Sequence, residues 1–239
     1  MRTLCALAFL TLCGPALAQA PAPAPTDPFV GGISLGYLAT NGNTESTSAN
    51  ADFEATWDLD GPWKHDWTAR FINARTNEVT TAESYSAGYK AQRDFSETSY
   101  LFFTGDWRQD EFAGYKRQVS EAIGYGRRLL DSPRHMLALE GGAGAKQSDL
   151  VTGEALDEAI IRGALDYVWA ISETSEFEQK LLIEQGDDNR YTESSTALKA
   201  QVVGNIAVVL SYVIKSNSDV PVSIENTDRF TSIALEYAF

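Results

Sequence analysis

Residues 46–58 read STSANADFEATWD and divide into two sets by parity. Thr47, Ala49, Ala51, Phe53, Ala55 and Trp57 form one set. Ser46, Ser48, Asn50, Asp52, Glu54, Thr56 and Asp58 form the other. A helix would scatter both sets around its circumference. A strand puts successive side chains on opposite faces and separates them completely. The stretch is therefore a β-strand with one apolar and one polar face.

The same period recurs along the chain. It predicts strands near 30–40, 45–58, 63–75, 81–94, 98–109, 118–128, 135–146, 158–170, 174–186, 191–203, 205–216 and 226–239. That is about twelve, an even number, as in closed bacterial barrels. They run roughly 10–14 residues, against about 5–6 for a common globular strand and about 9–11 to cross a bilayer at a tilt. One set of connections is short: 59–62, 95–97, 131–133, 171–173 and 204–205. The other is mostly longer and polar: 76–80, 110–117, 147–157, 187–190 and 217–225. Asn41-Gly42-Asn43-Thr44 is a tight exception with a hairpin turn signal. Short inner turns against longer outer loops predict an all-β fold, a closed antiparallel up-and-down transmembrane barrel over 29–239. An even strand count places both termini on the periplasmic side.

A soluble β-sandwich or lipocalin-like barrel also alternates apolar and polar. Three features favour the membrane. The strands are long. Aromatics sit at strand ends on the apolar face, at Trp57, Trp63, Trp67, Tyr85, Trp107, Trp169 and Tyr237, where a ring with one dry side and one wet end forms a girdle. The polar face carries mid-strand charges that a packed soluble core would not tolerate unpaired.

The last strand places Thr231, Ile233, Leu235, Tyr237 and Phe239 on one face, with Ser232, Ala234, Glu236 and Ala238 on the other. The apolar series ending on Phe239 resembles the C-terminal signal by which outer-membrane proteins are recognised for assembly. The expected partners are therefore outer-membrane lipids and the barrel-assembly machinery.

With the apolar face outward, parity assigns the lumen. The acids are Asp52, Glu54, Asp106, Glu140, Asp166, Glu176, Glu178, Glu184 and Glu236; the bases are Arg70, Lys90, Arg108, Lys146, Arg162, Lys180 and Lys199. Nine acids against seven bases give a near-balanced interior, either filled by paired charges or crossed by a narrow pore. Gln179 falls on the lipid face, and Phe102 and Ile72 fall inside, against the general rule.

The N-terminal segment reads as a secretory signal, 1–18. Arg2 gives the positive start, Leu4–Leu12 the apolar stretch and Ala16-Leu17-Ala18 the cleavage site. Residues 19–28 form a Pro/Ala-rich leader. Both cysteines, Cys5 and Cys13, lie in the signal, so a disulfide scaffold, a thiol nucleophile and a cysteine metal site are excluded from the exported chain. The formal charge of −14 argues against nucleic acid.

Catalytic barrels with a histidine base near the outer rim are the enzyme alternative. This chain has two histidines, His65 and His135, both expected at the inner rim. Neither the loop Gly186-Asp187-Asp188-Asn189 nor the cluster Asp149, Glu154, Asp157 and Glu158 has the spacing of a calcium loop. Both read as solvated turns, and no metal or cofactor is expected.

Several stretches, in order, resemble the family of salt-induced outer-membrane proteins, catalogued as a domain of unknown function. They are Asn41-Gly42-Asn43-Thr44, Thr80-Thr81-Ala82-Glu83 leading to Tyr85, Gly124-Tyr125-Gly126, and Ser218-Asp219-Val220-Pro221 followed by Thr227-Asp228. Where that family tends to have Asp-Arg-Phe, this chain has Asp110-Glu111-Phe112. The resemblance covers nearly all of the exported chain. It implies the outer membrane of a Gram-negative bacterium and a response to salt or osmotic stress, with no established reaction. The leading expectation is a non-catalytic barrel with a structural or envelope-stress role. A narrow pore for ions or small solutes is the alternative, and a hydrolase a distant third.

Overall fold

A computed structural model describes residues 28–40, 46–59, 61–110, 112–220 and 224–239. The signal, most of the leader and the Asn41-Gly42-Asn43-Thr44 turn lie outside them. Twelve strands follow in order: β1 Phe29–Thr40, β2 Ser46–Asp58, β3 Trp63–Thr76, β4 Val79–Ser96, β5 Ser99–Asp110, β6 Tyr115–Asp131, β7 His135–Leu150, β8 Ala155–Ser172, β9 Ser175–Gln185, β10 Arg190–Val203, β11 Ile206–Asn217 and β12 Thr227–Ala238. Each pairs antiparallel with its chain neighbours, and β1 meets β12 to close the barrel. Closure leaves no free edge strand, which lets a sheet cross hydrocarbon.

Parity sorts the side chains as expected. Leu35, Ile123, Ile161, Ile233 and Leu235 are exposed on the outside, while inward Ile72 and Phe102 are buried. The barrel is thus inside-out relative to a soluble one. Phe102 and Ile72 do face inward and Gln179 does face out. Gln179 is accommodated by neighbours: its amide donates to Ser194 Oγ at 3.1 Å and accepts from Thr196 Oγ1 at 2.6 Å.

The connections at the terminus-bearing end, called the turn end here, match the short set. The opposite, loop end differs. The expected loop 76–80 is a two-residue turn at Asn77 and Glu78, both at positive φ (49° and 65°), as a tight hairpin with right-handed strand twist requires. The expected loop 147–157 shrinks, because β7 continues to Leu150 and β8 begins at Ala155. Polar residues do not end a hairpin whose ladder still satisfies both backbones.

The predicted girdle divides between the two rims. Trp57, Trp63, Trp67 and Trp169 lie towards the turn end. Both histidines join them: His65 Nδ1 lies 2.8 Å from Tyr89 Oη and His135 Nδ1 3.0 Å from Tyr167 Oη. Trp57 stacks on Trp67 with centroids 6.5 Å apart. Tyr85 and Trp107 lie towards the loop end, where Tyr85 packs on Phe71 at 5.2 Å. Phe239 stacks on Phe29 at 5.8 Å and exchanges two backbone hydrogen bonds with Gly31.

Inside the β5–β6 wall, Tyr100 and Phe102 are cross-strand partners of Gly126 and Gly124. Each ring lies over its glycine: a Cβ on Gly126 would meet the Tyr100 ring at 2.2 Å. Gly126→Val should therefore displace the ring and cost about 1–3 kcal/mol as overpacking. The urea midpoint of the folded barrel in lipid vesicles measures it, and an unchanged midpoint would show that the ring is not held there.

Candidate functional site

The lumen gathers the charged side chains that parity assigned to it. It is filled at the loop end and, on the β4–β8 side, down towards the turn end. On β4, β7 and β8, Lys90 pairs with Glu140, Arg162 Nη1 donates to Glu140 Oε2 at 3.0 Å and Tyr100 Oη donates to Glu140 Oε1 at 2.9 Å. Lys90 Nζ and the Arg162 guanidinium lie over the Phe102 ring at 5.8 and 5.3 Å. One carboxylate thus satisfies two cations, with aromatic faces taking the remainder.

Towards the loop end, Arg108 on β5 reaches across the lumen to Glu184 on β9 in a fork, 3.0 and 3.3 Å. Ser120 Oγ completes the carboxylate at 3.0 Å, and the Arg108 guanidinium lies 4.4 Å from the Tyr191 ring centroid. Arg70 joins Asp52 at 2.5 Å on the adjacent strand and Glu193 at 3.1 Å across the lumen. Lys215 Nζ crosses from β11 to Ser84 Oγ on β4 at 2.9 Å. Lys146 sits 2.9 Å from Glu158 as an ionic contact, without an aligned hydrogen bond. Lys146 and Glu184 are 0% exposed. Above them, Tyr115 Oη donates to the Asp219 carbonyl at 2.8 Å, and buried Asn189 holds Asn217, Ser218 and Asp219.

The turn-end part of the opposite side, along β9–β12, β1 and β2, is different. A chain of alternating charge runs Glu54–Lys180–Glu178–Lys199–Glu236, with contacts of 2.9, 3.9, 2.9 and 3.3 Å, and ends at Ser34. It borders a cavity of about 480 Å³ whose other wall is small: Gly32, Ala197, Ser211, Ala234 and Ala238. Its cross-lumen member, Glu54–Lys180, is the least buried, with side chains 46% and 39% exposed, so it contributes only about 0–1 kcal/mol. Asp166 faces Lys180 across the β8–β9 ladder without a direct ion pair.

Of the sixteen charges that parity assigned to the lumen, thirteen enter ion pairs there, all but Asp106, Asp166 and Glu176. Glu193, Lys215 and Glu158 were missed. Glu193 shares the parity of Lys199, and Glu158 that of Arg162, so both were readable within the predicted strands 191–203 and 158–170. Glu158, expected in a solvated turn, is instead buried against Lys146, because β8 begins three residues earlier than alternation alone indicated. Among the described residues no group of three or more His, Cys, Asp or Glu is placed to hold a metal ion.

Removing one partner of a buried pair leaves a charge stranded. Glu184→Ala should destabilise the barrel by about 3–5 kcal/mol, while Arg108→Met with Glu184→Leu should be near neutral. Urea titration of both variants in vesicles separates the cases. Equal losses would mean that packing volume matters there and charge does not.

The chain is 28% identical over 216 residues to the "Uncharacterized protein YdiY" of Escherichia coli (strain K12), covering 88% of this chain and 83% of that one. In structure it is similar to an outer membrane channel from Pseudomonas putida F1, with TM-score 0.51, 9% identity, and 94% and 98% of the two chains covered. It is also similar to the NanC porin, with TM-score 0.48, 9% identity, and 87% and 97% covered. The family profile described as "Protein of unknown function, DUF481" matches residues 33–239, and the chain belongs to that family.

Proposed function

We propose that this protein is a non-catalytic barrel of the Gram-negative outer membrane. Both termini are periplasmic, and the lumen is held shut to solutes by its own side chains. Its role is structural, in maintaining the envelope under salt or osmotic stress. The observation that carries the reading is the loop-end network, where Arg108–Glu184, Arg70–Glu193 and Lys215–Ser84 each join a different pair of strands across the lumen. Such a lattice replaces the water column that an open porin needs. The short turns at the terminus-bearing end support a periplasmic placement. The engagement of both histidines in the outward aromatic belt, away from the lumen, supports a non-catalytic role.

A narrow pore is the second reading, favoured by the turn-end cavity. Planar-bilayer recording at 0.1 and 1 M salt distinguishes the two. The wild-type barrel should give no discrete conductance steps at either concentration. The double variant Arg108→Ala with Glu184→Ala should give steps, because it removes the largest fork from the constriction. Regular steps from the wild type would overturn the closed reading and establish the pore.

A further inference from the structure

The outward face of the barrel carries its fixed charges unevenly. Towards the loop end both signs occur, as at Glu83, Glu121 and the pair Arg117–Asp149 at 2.8 Å. Over the turn-end half, among the described residues, the outward positions of the strands carry only two fixed charges, and both are arginines. Arg93 on β4 faces outward with its cross-strand partners Trp63 and Leu101. Arg127 on β6 faces outward with Ser99 and Leu139. Both are exposed, and neither forms an ion pair among the described residues. The Arg93 guanidinium lies 5.8 Å from the Trp63 ring centroid. Asp94, beside it in sequence, turns inward to Arg128 at 2.9 Å. The two arginines flank β5. With ~4.8 Å between strands and two residues of offset, their Cα atoms stand about 12 Å apart. Cations at the edge of hydrocarbon are costly unless they reach water or an anion.

Beside Arg127 the wall of the barrel is thin. The rung one step further from the turn end runs through Tyr125, Gly141 and Gly163 on β6, β7 and β8. A Cβ on Gly141 or Gly163 would meet nothing within 4 Å, and neither residue has a positive φ. Interior packing and backbone conformation therefore do not require glycine at these two positions. Inward Gly142 differs, since a Cβ there would lie 2.5 Å from the Ile123 carbonyl. Glycine weakens a strand interior and often marks a place where a ligand or another backbone approaches closely. Tyr125 leaves the glycine floor open. Its Oη lies 2.9 Å from Ser99 Oγ, and its ring packs on Phe95 at 6.1 Å, both on the side away from β7. Exposed Ile123, Leu139 and Ile161 stand around the floor.

We infer that this face binds one anionic glycerophospholipid of the periplasmic leaflet. Arg127 holds a phosphodiester through its fork of N–H donors. Arg93 adds the second positive charge across β5, and an acyl chain lies along Gly141 and Gly163. The order of the groups fits a lipid: the arginines lie nearer the turn end, and the glycine floor lies one rung deeper in hydrocarbon. Charge selects the head. Two cations with no acid on the same face attract a lipid of net negative charge, whereas the ammonium of a zwitterionic lipid finds no carboxylate there. The site rests on the membrane-barrel reading, with the turn end in the periplasm, and is independent of whether the lumen conducts.

The gel shift of unboiled protein reports folding, so a failed barrel is distinguished from a failed site. The barrel is incubated in detergent with equal amounts of dioleoylphosphatidylglycerol and dioleoylphosphatidylcholine and examined by native mass spectrometry. The wild type should retain one phosphatidylglycerol per barrel in preference to phosphatidylcholine. Arg127→Gln should lower the retained phosphatidylglycerol about fivefold and leave phosphatidylcholine unchanged. Gly141→Val with Gly163→Val should lower both about tenfold. The urea midpoint of that double variant in vesicles should be no lower than that of the wild type, since the new side chains meet no protein atom. Equal retention of the two lipids by the wild type, or retention unchanged by either variant, would overturn the site. A wild-type dimer abolished by Gly141→Val with Gly163→Val would overturn it too, and would assign the floor to a second copy of this chain.

Discussion

Backbone hydrogen bonding in hydrocarbon is the constraint from which the rest follows. Each N–H and C=O that crosses the bilayer must find a partner within the chain, because lipid offers none. A β-chain meets this demand only by closing on itself. Twelve strands then fix a circumference, and the circumference fixes an interior too wide for ordinary apolar packing. The interior charges are a response to that width. Long side chains such as Arg108, Arg70 and Lys215 can span a lumen that a valine cannot.

Filling a lumen with charge has its own demand. A buried ion gains from pairing only when its remaining hydrogen-bonding capacity is also met. Glu184 meets it with the Arg108 fork and Ser120, and Glu140 with Lys90, Arg162 and Tyr100. These pairs specify arrangement more than they add stability. Each fixes the rotation of one wall against another that is distant in sequence, such as β3 against β10 through Arg70 and Glu193. The pair Glu54–Lys180 is more exposed to water than these, and it borders the part of the lumen left hollow.

The facing of each strand was legible in the sequence because a period of two is a local property. Ser46–Asp58 shows its faces without any knowledge of its neighbours, and the anomalies Ile72, Phe102 and Gln179 were true to their parity. Strand ends were less legible. Alternation weakens where strands leave the bilayer and both faces become polar, as at 147–157, so Glu158 was placed in a turn when it lies in the lumen. Which charges meet was not legible at all. Arg108 and Glu184 are 76 residues apart, and their meeting depends on the stagger of three intervening strands. Parity supplies direction, and only the closed register supplies height.

The same register explains why one half of the lumen is full and the other hollow. On β5 and β6, aromatics oppose glycines, Tyr100 to Gly126 and Phe102 to Gly124, so each ring folds over its partner and fills the space. On β10, β11, β12 and β1, small residues oppose small residues: Ala197 meets Ser211, and Ser211 meets Ser232. The inward rings of this wall, Tyr191 and Phe230, lie near the loop-end starts of β10 and β12, beyond these small partners. Interior packing also holds strands together, so the wall with the least packing must rely most on its ladder. It is on this wall that the ladder is shortest, at Gly32–Leu35 against Leu235–Ala238. Hollow lumen and short seam thus coincide on the wall of small side chains, which puts the shortest ladder of the barrel beside the cavity of about 480 Å³.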